Sequence, residues 1–283
     1  MSPIEPRKAD SLARLVAAAI AGAVVGVVGG LIGLGGAEYR LPLLLGPFGF
    51  PPLQAVILNK ALSLVVVATA LPARGVGVPW GLVRDHWTTA ANVLAGSVAG
   101  AWFGASWATR LRSETLSRVI AVLFVLIAAV LVLGQQTQAS GMAPGVLRVV
   151  IGMVLGFGIG IVAALLGVAG GELLIPTFVL LFGLNIKLAG SLSLVVSLPT
   201  MLTGFSRYSR DRSFVVLRER AGFLAAMGGG SIAGSALGGA LVGLLPSGVL
   251  LPALALILLV SAFGLWRHRS EAGQKLEGPG GAP

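Results

Sequence analysis

The chain has 283 residues, of which 56% are apolar and only 11% are charged, whereas soluble domains carry roughly 25% charged residues. This composition excludes an ordinary soluble enzyme and indicates an integral membrane protein. The formal charge of +10 does not indicate nucleic acid, because most Lys and Arg residues lie in short loops and tails between apolar segments, as positive-inside topology requires. The chain has no cysteine and only two histidines, far apart, so we expect no metal site and no cofactor.

In chain order, five regions are predicted from the alternation of polar and apolar sequence. They are a polar lead at 1–14, a first membrane half at 15–134, a connector at 135–147, a second membrane half at 148–268 and a tail at 269–283. The tail is rich in Gly and Pro and is predicted to be disordered. We expect both the lead and the tail to lie in the cytoplasm.

The first half contains four apolar segments that approach or exceed the length of a membrane-spanning helix, about 18 residues. These segments are 15–32, 53–73, 87–108 and 119–134. A shorter apolar piece, 41–50, follows the first segment and is closed by prolines. At about 1.5 Å per residue it is too short to cross the bilayer as a regular helix, so it either completes a broken crossing or re-enters the membrane.

Two glycine-rich motifs organise the chain. Residues 33–42 read GLGGAEYRLP and residues 167–176 read GVAGGELLIP. Each motif interrupts an apolar run, carries one glutamate and ends at a proline. Because each glycine in a helix is about 1 kcal/mol less favourable than alanine, the motifs predict interrupted membrane helices, with new helix N-termini near Ala37 and Gly171.

The motifs belong to a longer internal duplication. At an offset of 134 residues, 96–100 (GSVAG) matches 230–234 (GSIAG), and at an offset of 130 residues, 62–66 (LSLVV) matches 192–196 (LSLVV). One repeat of this length indicates two structural halves that face each other. The predicted fold is an all-α integral membrane protein with two homologous halves, glycine-broken helices and roughly eight to ten membrane-crossing elements.

The relative orientation of the halves depends on the short pieces. If each piece crosses, each half has an odd number of crossings and the halves are inverted; if each re-enters, the halves are parallel. The count of positive charges inside is the same for both arrangements. We favour inverted repeats, because the turn with Arg110, Arg112 and Arg118 is basic whereas its counterpart at 244–248 has no charge. Both arrangements place the two termini in the cytoplasm.

Lys60 is the most unusual residue of the apolar segments. A Lys inside the bilayer costs at least about 2.5 kcal/mol on insertion scales, so we predict that it binds an anion or pairs with an acid. The alternative is that Lys60 snorkels to the interface. The polar residues Asn59, Ser63, Ser191, Ser193 and Ser197 lie on the two matching segments. They could donate hydrogen bonds to an oxyanion or connect membrane helices to each other.

The glycine motifs contribute further candidates. Exposed backbone amides at Gly35, Gly36, Gly170 and Gly171 suit an anion at a helix N-terminus, although close helix packing explains the same glycines. Glu38 and Glu172 are the only two acidic residues within the motifs. We predict that they form a symmetry-related pair that either couples transport to protons or caps the amides of the following helix.

The paired motifs, together with the stretch NKALSL at 59–64 and its partner AGSLSL at 189–194, resemble the TauE/SafE family, also called toluene-sulfonate uptake permeases. The resemblance covers about residues 14–266. It implies a permease of the bacterial inner (plasma) membrane for sulfite, sulfonates or related small anions. The glycine runs are shorter here than in the most glycine-rich members of the family and are followed directly by the two glutamates.

The sequence therefore predicts a secondary transporter for a small anion, with a sulfur oxyanion or an organosulfonate as the substrate class that the resemblance implies. The chain has no nucleotide-binding motif, so an ion gradient or the substrate gradient would supply the energy. A passive anion channel and a membrane scaffold are the alternatives, and an enzyme is not expected. The predicted partners are the anion, a coupling proton and membrane lipid; a homo-oligomer is left open.

Overall fold

A computed structural model describes residues 11–32, 36–74, 79–112, 115–116, 118–119, 122 and 145–241. Within these ranges all regular secondary structure is helical. The first half contributes α1 (Leu12–Ile32), α2 (Ala37–Leu45), α3 (Pro52–Arg74), α4 (Trp80–Asp85) and α5 (Trp87–Ala108). The second half contributes α6 (Gly145–Leu166), α7 (Gly171–Phe182), α8 (Ile186–Tyr208), a 3-10 turn (Arg212–Val215), α9 (Val216–Glu219) and α10 (Ala221–Ala240). Of the predicted segment 119–134, the structure describes only residues 119 and 122. The chain after 241 also lies outside the described residues.

Five of the described helices are long and apolar enough to cross a membrane. They are α1, α3, α6, α8 and α10. Helix α5 has the predicted bounds and 22 residues but is not among these five. The helical membrane fold is confirmed, whereas the total number of crossings stays a prediction.

Each predicted break ends with a glycine in the left-handed region of backbone conformation. Gly36 has φ +68° and Gly170 has φ +80°, values that glycine adopts far more easily than any residue with a side chain. Helix α2 begins directly after the first glycine and α7 directly after the second. The helix N-termini predicted at Ala37 and Gly171 are therefore present.

The chain reverses its direction at the first break. Gly36 lies against Val25, in the second half of α1, so α2 starts beside the middle of the preceding helix. At the other end, Arg14 Nη2 donates a hydrogen bond of 2.8 Å to the carbonyl oxygen of Phe48, just after α2. Because Arg14 lies near the start of α1, α2 runs antiparallel to α1 and returns toward its N-terminus.

The second break repeats this reversal. Gly170 lies against Ala163, near the end of α6, while the ring of Phe182 at the end of α7 lies against Gly152, near the start of α6. Helix α7 therefore also runs back along the preceding helix. Each interrupted helix is therefore a helical hairpin with one long and one short arm. The next long helix begins near the N-terminal end of the long arm.

The first long helix of each half packs against a helix of the other half. Helix α1 packs against α10, and α6 packs against α5. Helices α1 and α10 run parallel, because Gly22 packs against Met227 and Gly30 packs against Ser235. Helices α5 and α6 repeat this arrangement, since successive α5 glycines pack against α6 residues of increasing number. Small side chains allow these backbones to approach closely, as is common in membrane bundles.

Helices α3 and α8 are the most buried of the candidate spans, and α1 is the least buried. Helix α3 runs parallel to α10, because Gly228 contacts Leu62 and Gly239 contacts Ala73. Helix α8 runs parallel to α5, as two hydrogen bonds show: Ser97 with Thr200 at 2.6 Å and Arg207 with Ser106 at 2.8 Å. The two central helices therefore hold the middle of the molecule, next to both breaks.

Candidate functional site

One asparagine on α3 connects the two breaks. The Asn59 side chain is fully buried, and its Nδ2 donates hydrogen bonds to the carbonyl oxygens of Ala37 at 3.0 Å and Leu166 at 3.3 Å. The first acceptor opens α2 in the first half, and the second acceptor closes α6 in the second half. A single side-chain amide thus links the two glycine motifs at the centre of the molecule.

Lys60, the next residue, places its ammonium group at the second break. Its side chain is fully buried, and Nζ donates to the carbonyl oxygens of Ala163 at 3.0 Å and Val168 at 3.3 Å. The last turn of a helix leaves carbonyl oxygens without helical partners and carries a partial negative charge. The ammonium group is therefore stabilised by the C-terminal end of α6. The alternative in which Lys60 snorkels to the interface is wrong.

Helix α8 leaves room for the Lys60 side chain at Gly204. A Cβ atom added at this glycine would lie 3.1 Å from Lys60 Cε and 3.5 Å from Nζ. The first of these distances is tighter than most van der Waals contacts, so a larger residue would push on the end of the lysine. The absence of a side chain at Gly204 therefore leaves space for the end of Lys60.

A second buried cation lies on α2. Arg40 is fully buried, and its Nη1 donates a 3.2 Å hydrogen bond to Ser63 Oγ. Ser63 is one helical turn beyond Lys60 on α3, so the two cations approach neighbouring turns of one helix. Arg40 was not among the predicted site residues. The available signal was its place in the first glycine motif, two residues before Pro42, where the second motif has Leu174.

The serines of α8 have different roles. Ser191 Oγ donates to the Lys187 carbonyl at 3.3 Å and Ser193 Oγ to the Gly190 carbonyl at 2.8 Å, both within their own helix. Such bonds within a helix are a common way for serine to satisfy its hydroxyl group. Ser197 donates to the Ala169 carbonyl at 2.6 Å, so this serine has a hydrogen bond to the second break.

Tyr208 is a further contact that the sequence did not predict. Its hydroxyl group is buried and donates a 2.8 Å hydrogen bond to the carbonyl oxygen of Ala164 in the last turn of α6. Together with Asn59, Lys60 and Ser197, it provides side-chain donors for the carbonyls around the second break. This break is therefore held by side chains from both central helices.

The predicted acidic pair can be described only by its backbone. Glu38 and Glu172 are the second residues of α2 and α7, the helix end where a carboxylate is favourable. Their side chains lie outside the described part of the structure, as does Gly35. No group of three or more His, Cys, Asp or Glu residues suited to a metal ion occurs among the described residues.

The geometry thus combines two buried cations, an amide and a hydroxyl group at a junction of two reversed helices. A comparison with known protein families matches residues 18–265 to the family described as sulfite exporter TauE/SafE. The chain belongs to this family. The TauE/SafE chain is therefore a helical membrane transporter and not an enzyme, with a small-molecule substrate and membrane lipid as its partners. No curated protein and no solved structure matches the chain.

Proposed function

We propose that this TauE/SafE chain is a secondary transporter of the plasma membrane, with both termini in the cytoplasm, that moves a small sulfur oxyanion or organosulfonate. The observation that carries the proposal is the burial of Arg40 and Lys60, both fully inaccessible, beside the two breaks. Charged residues at membrane depth are expensive and usually serve transport. The family description as a sulfite exporter supports the substrate class.

The proposed binding site lies where α3 passes between the two breaks. Arg40 and Lys60 supply positive charge, and the guanidinium and ammonium donors suit the oxygens of an oxyanion. Ser63 and Asn59 lie one turn apart on the same helix. The remaining site members are Ser191, Ser193 and the backbone amides of Gly35, Gly36, Gly170 and Gly171. An anion at this junction would lie beside two buried cations, where electrostatic attraction is stronger than in water.

Glu38 and Glu172 have a proposed role that follows from their position. Each is in the first turn of the helix that follows its break, so each can cap that helix or take up a proton when the anion leaves. The two roles are distinguished by replacing both with Gln, which keeps hydrogen-bonding capacity but cannot titrate. Transport with normal pH dependence in Glu38→Gln and Glu172→Gln would identify the carboxylates as caps.

We also propose that the two halves are inverted. The contacts that support this are those of the central helices: Lys60, near the start of α3, lies against Gly204, near the end of α8. Helix α3 is parallel to α10 and α1, whereas α8 is parallel to α5 and α6. Equivalent helices of the two halves therefore run in opposite directions, as in inverted-repeat transporters.

Cysteine labelling tests this arrangement, because the chain has no cysteine of its own. Gly81 on α4 and Ser209 after α8 are both exposed. With inverted halves, Gly81→Cys and Ser209→Cys react with an impermeant thiol reagent from opposite sides of the membrane. Labelling of both positions from the same side would support parallel halves.

Transport itself is tested with purified protein in proteoliposomes. We expect labelled sulfite to enter vesicles that contain unlabelled sulfite faster than vesicles that contain an inert anion, because a carrier exchanges substrate across the membrane. Empty vesicles provide the background. Flux without this counterflow would identify a passive anion channel, and no flux of sulfite or of small sulfonates would contradict the proposed function.

A further inference from the structure

Asn59 carries a buried acceptor that nothing in the described structure satisfies. Its Nδ2 group donates to two carbonyl oxygens, whereas its Oδ1 atom is buried and has no hydrogen-bond partner among the described residues. Buried polar atoms are nearly always hydrogen-bonded, and each exception requires an explanation. The unsatisfied oxygen is at the junction of the two breaks, beside the buried cation Lys60.

The orientation of this amide is fixed by its partners. The carbonyl oxygens of Ala37 and Leu166 can only accept hydrogen bonds. Exchanging the nitrogen and oxygen of Asn59 would place an acceptor against two acceptors, at 3.0 and 3.3 Å. Within the described structure, Oδ1 is therefore the free acceptor atom of the amide, because the Nδ2 group donates to the carbonyl oxygens of Ala37 and Leu166.

Two positively charged donors, Arg40 and Lys60, lie within one helical turn of Asn59 or contact a residue there. Ser63 is four residues further along α3 and so lies on the same face of the helix, where it accepts the hydrogen bond from Arg40. An anion attracted by Arg40 and Lys60 would thus meet positive donors and one acceptor oxygen. A bare oxyanion would place its own oxygens near Oδ1, and both are negative. An anion with a hydrogen-bond donor would satisfy Oδ1 instead.

From this geometry we infer that Asn59 is a specificity-determining residue and that the transported anion carries a hydrogen-bond donor. The inference rests on the proposed function and narrows its substrate class to hydrogen-bearing monoanions such as hydrogensulfite. It excludes the fully deprotonated dianion as the transported form. The alternative source of such a donor is a protonated group of the protein itself.

The test compares the pH dependence of transport for two anions in proteoliposomes. Sulfite near neutral pH is a mixture of a hydrogen-bearing monoanion and a dianion, whereas methanesulfonate is a monoanion without a donor at any of these pH values. We expect the KM for total sulfite to rise from mildly acidic to mildly alkaline pH, in proportion to the loss of hydrogensulfite. The KM for methanesulfonate should stay constant. Equal pH dependence for both anions would assign the donor to the protein and overturn the inference.

A substitution tests the residue. In Asn59→Leu the preference of the wild type for hydrogensulfite over methanesulfonate, expected to be roughly tenfold, should disappear. The matched control is Asn92→Leu: Asn92 is an asparagine on α5 whose amide atoms are also buried without a partner in the described structure, and it should keep the preference. An unchanged preference in Asn59→Leu would contradict the inference. Transport of neither anion by the wild type would instead overturn the proposed function.

Discussion

The two helix breaks share a backbone design but differ in their side chains. In both, a glycine with positive φ precedes a short helix that runs back along the helix before it. The first half, however, has polar and charged residues beside its break, whereas the second half has apolar or small residues at the equivalent positions. The equivalent pairs are Arg40 and Leu174, Asn59 and Ala189, and Lys60 and Gly190.

The two halves therefore contribute different chemical groups to the junction. The first half supplies both buried cations, and the second half supplies carbonyl oxygens at the end of α6 and in the break after it, which accept two hydrogen bonds from Lys60 and one from Asn59. The duplicated backbone therefore provides a symmetric frame, while the charge is asymmetric. A single anion between the breaks is consistent with that asymmetry, because both buried cations among the described residues belong to one half.

The largest expected effect is that of removing the Lys60 ammonium group. Lys60→Ala leaves the end of α6 without its charged donor and removes one of the two buried cations, so we expect sulfite transport to fall roughly a hundredfold. Lys60→Arg should retain part of the activity, because it keeps the charge but has a wider planar group. Initial rates of uptake into proteoliposomes, normalised to the folded protein in each preparation, measure the effect.

The control for this substitution is Lys187→Ala, which removes an exposed lysine at the start of α8. It should transport at the wild-type rate. Wild-type transport by Lys60→Ala would show that the buried ammonium group is only a structural cap of α6.

A smaller effect is expected from crowding the same ammonium group. In Gly204→Ala the new Cβ contacts Lys60 Cε at 3.1 Å, so the lysine must shift, and we expect transport to fall about fivefold. A helical glycine that faces open space, Gly158, is the matched comparison. Gly158→Ala should leave transport unchanged and stabilise its helix by up to about 1 kcal/mol. Equal transport by both variants would show that the position of Lys60 is not constrained by α8.

The smallest effect compares two equivalent serines. Ser97 forms a 2.6 Å hydrogen bond with Thr200, whereas Ser231, its counterpart 134 residues later in the chain, has a buried hydroxyl without a partner in the described structure. We expect Ser97→Ala to lower the free energy of unfolding by about 0.6 kcal/mol, an average value for such bonds in membranes. Ser231→Ala should be neutral or stabilising. Unfolding in mixed detergent micelles measures both, and a larger loss in Ser231→Ala would contradict the asymmetry between the halves.

Much of the fold follows from local sequence signals. The predicted segment 53–73 differs by one residue at each end from α3, because long apolar runs bounded by Pro and Arg mark a membrane helix with little ambiguity. The starts of α2 and α7 follow from the need for glycine at a positive φ. The second half begins its first helix at Gly145, three residues ahead of the predicted boundary, since the residues there have no strong helix-stopping signal.

The site was less predictable because it depends on contacts between distant parts of the chain. Lys60 was identified from its cost in a bilayer, but its acceptor at Ala163 is 103 residues away and is a backbone carbonyl, which has no sequence signature. The burial of Arg40 results from the reversal of α2 along α1, which a short apolar piece cannot reveal. The hydrogen bond from Ser197 to Ala169 could not be predicted without knowing which face of α8 meets the break.

The most direct test of the account is sulfite binding to the purified protein, measured by isothermal titration calorimetry at constant ionic strength. Three proteins are compared: the wild type, Arg40→Leu and Arg218→Leu. Arg40→Leu introduces the residue that stands at the equivalent position 174 of the second half, and Arg218→Leu removes an exposed charge. We expect saturable binding by the wild type and by Arg218→Leu, with the affinity of Arg40→Leu at least roughly tenfold weaker. Binding by Arg40→Leu at the wild-type affinity would contradict an anion site built on the buried cations of the first half.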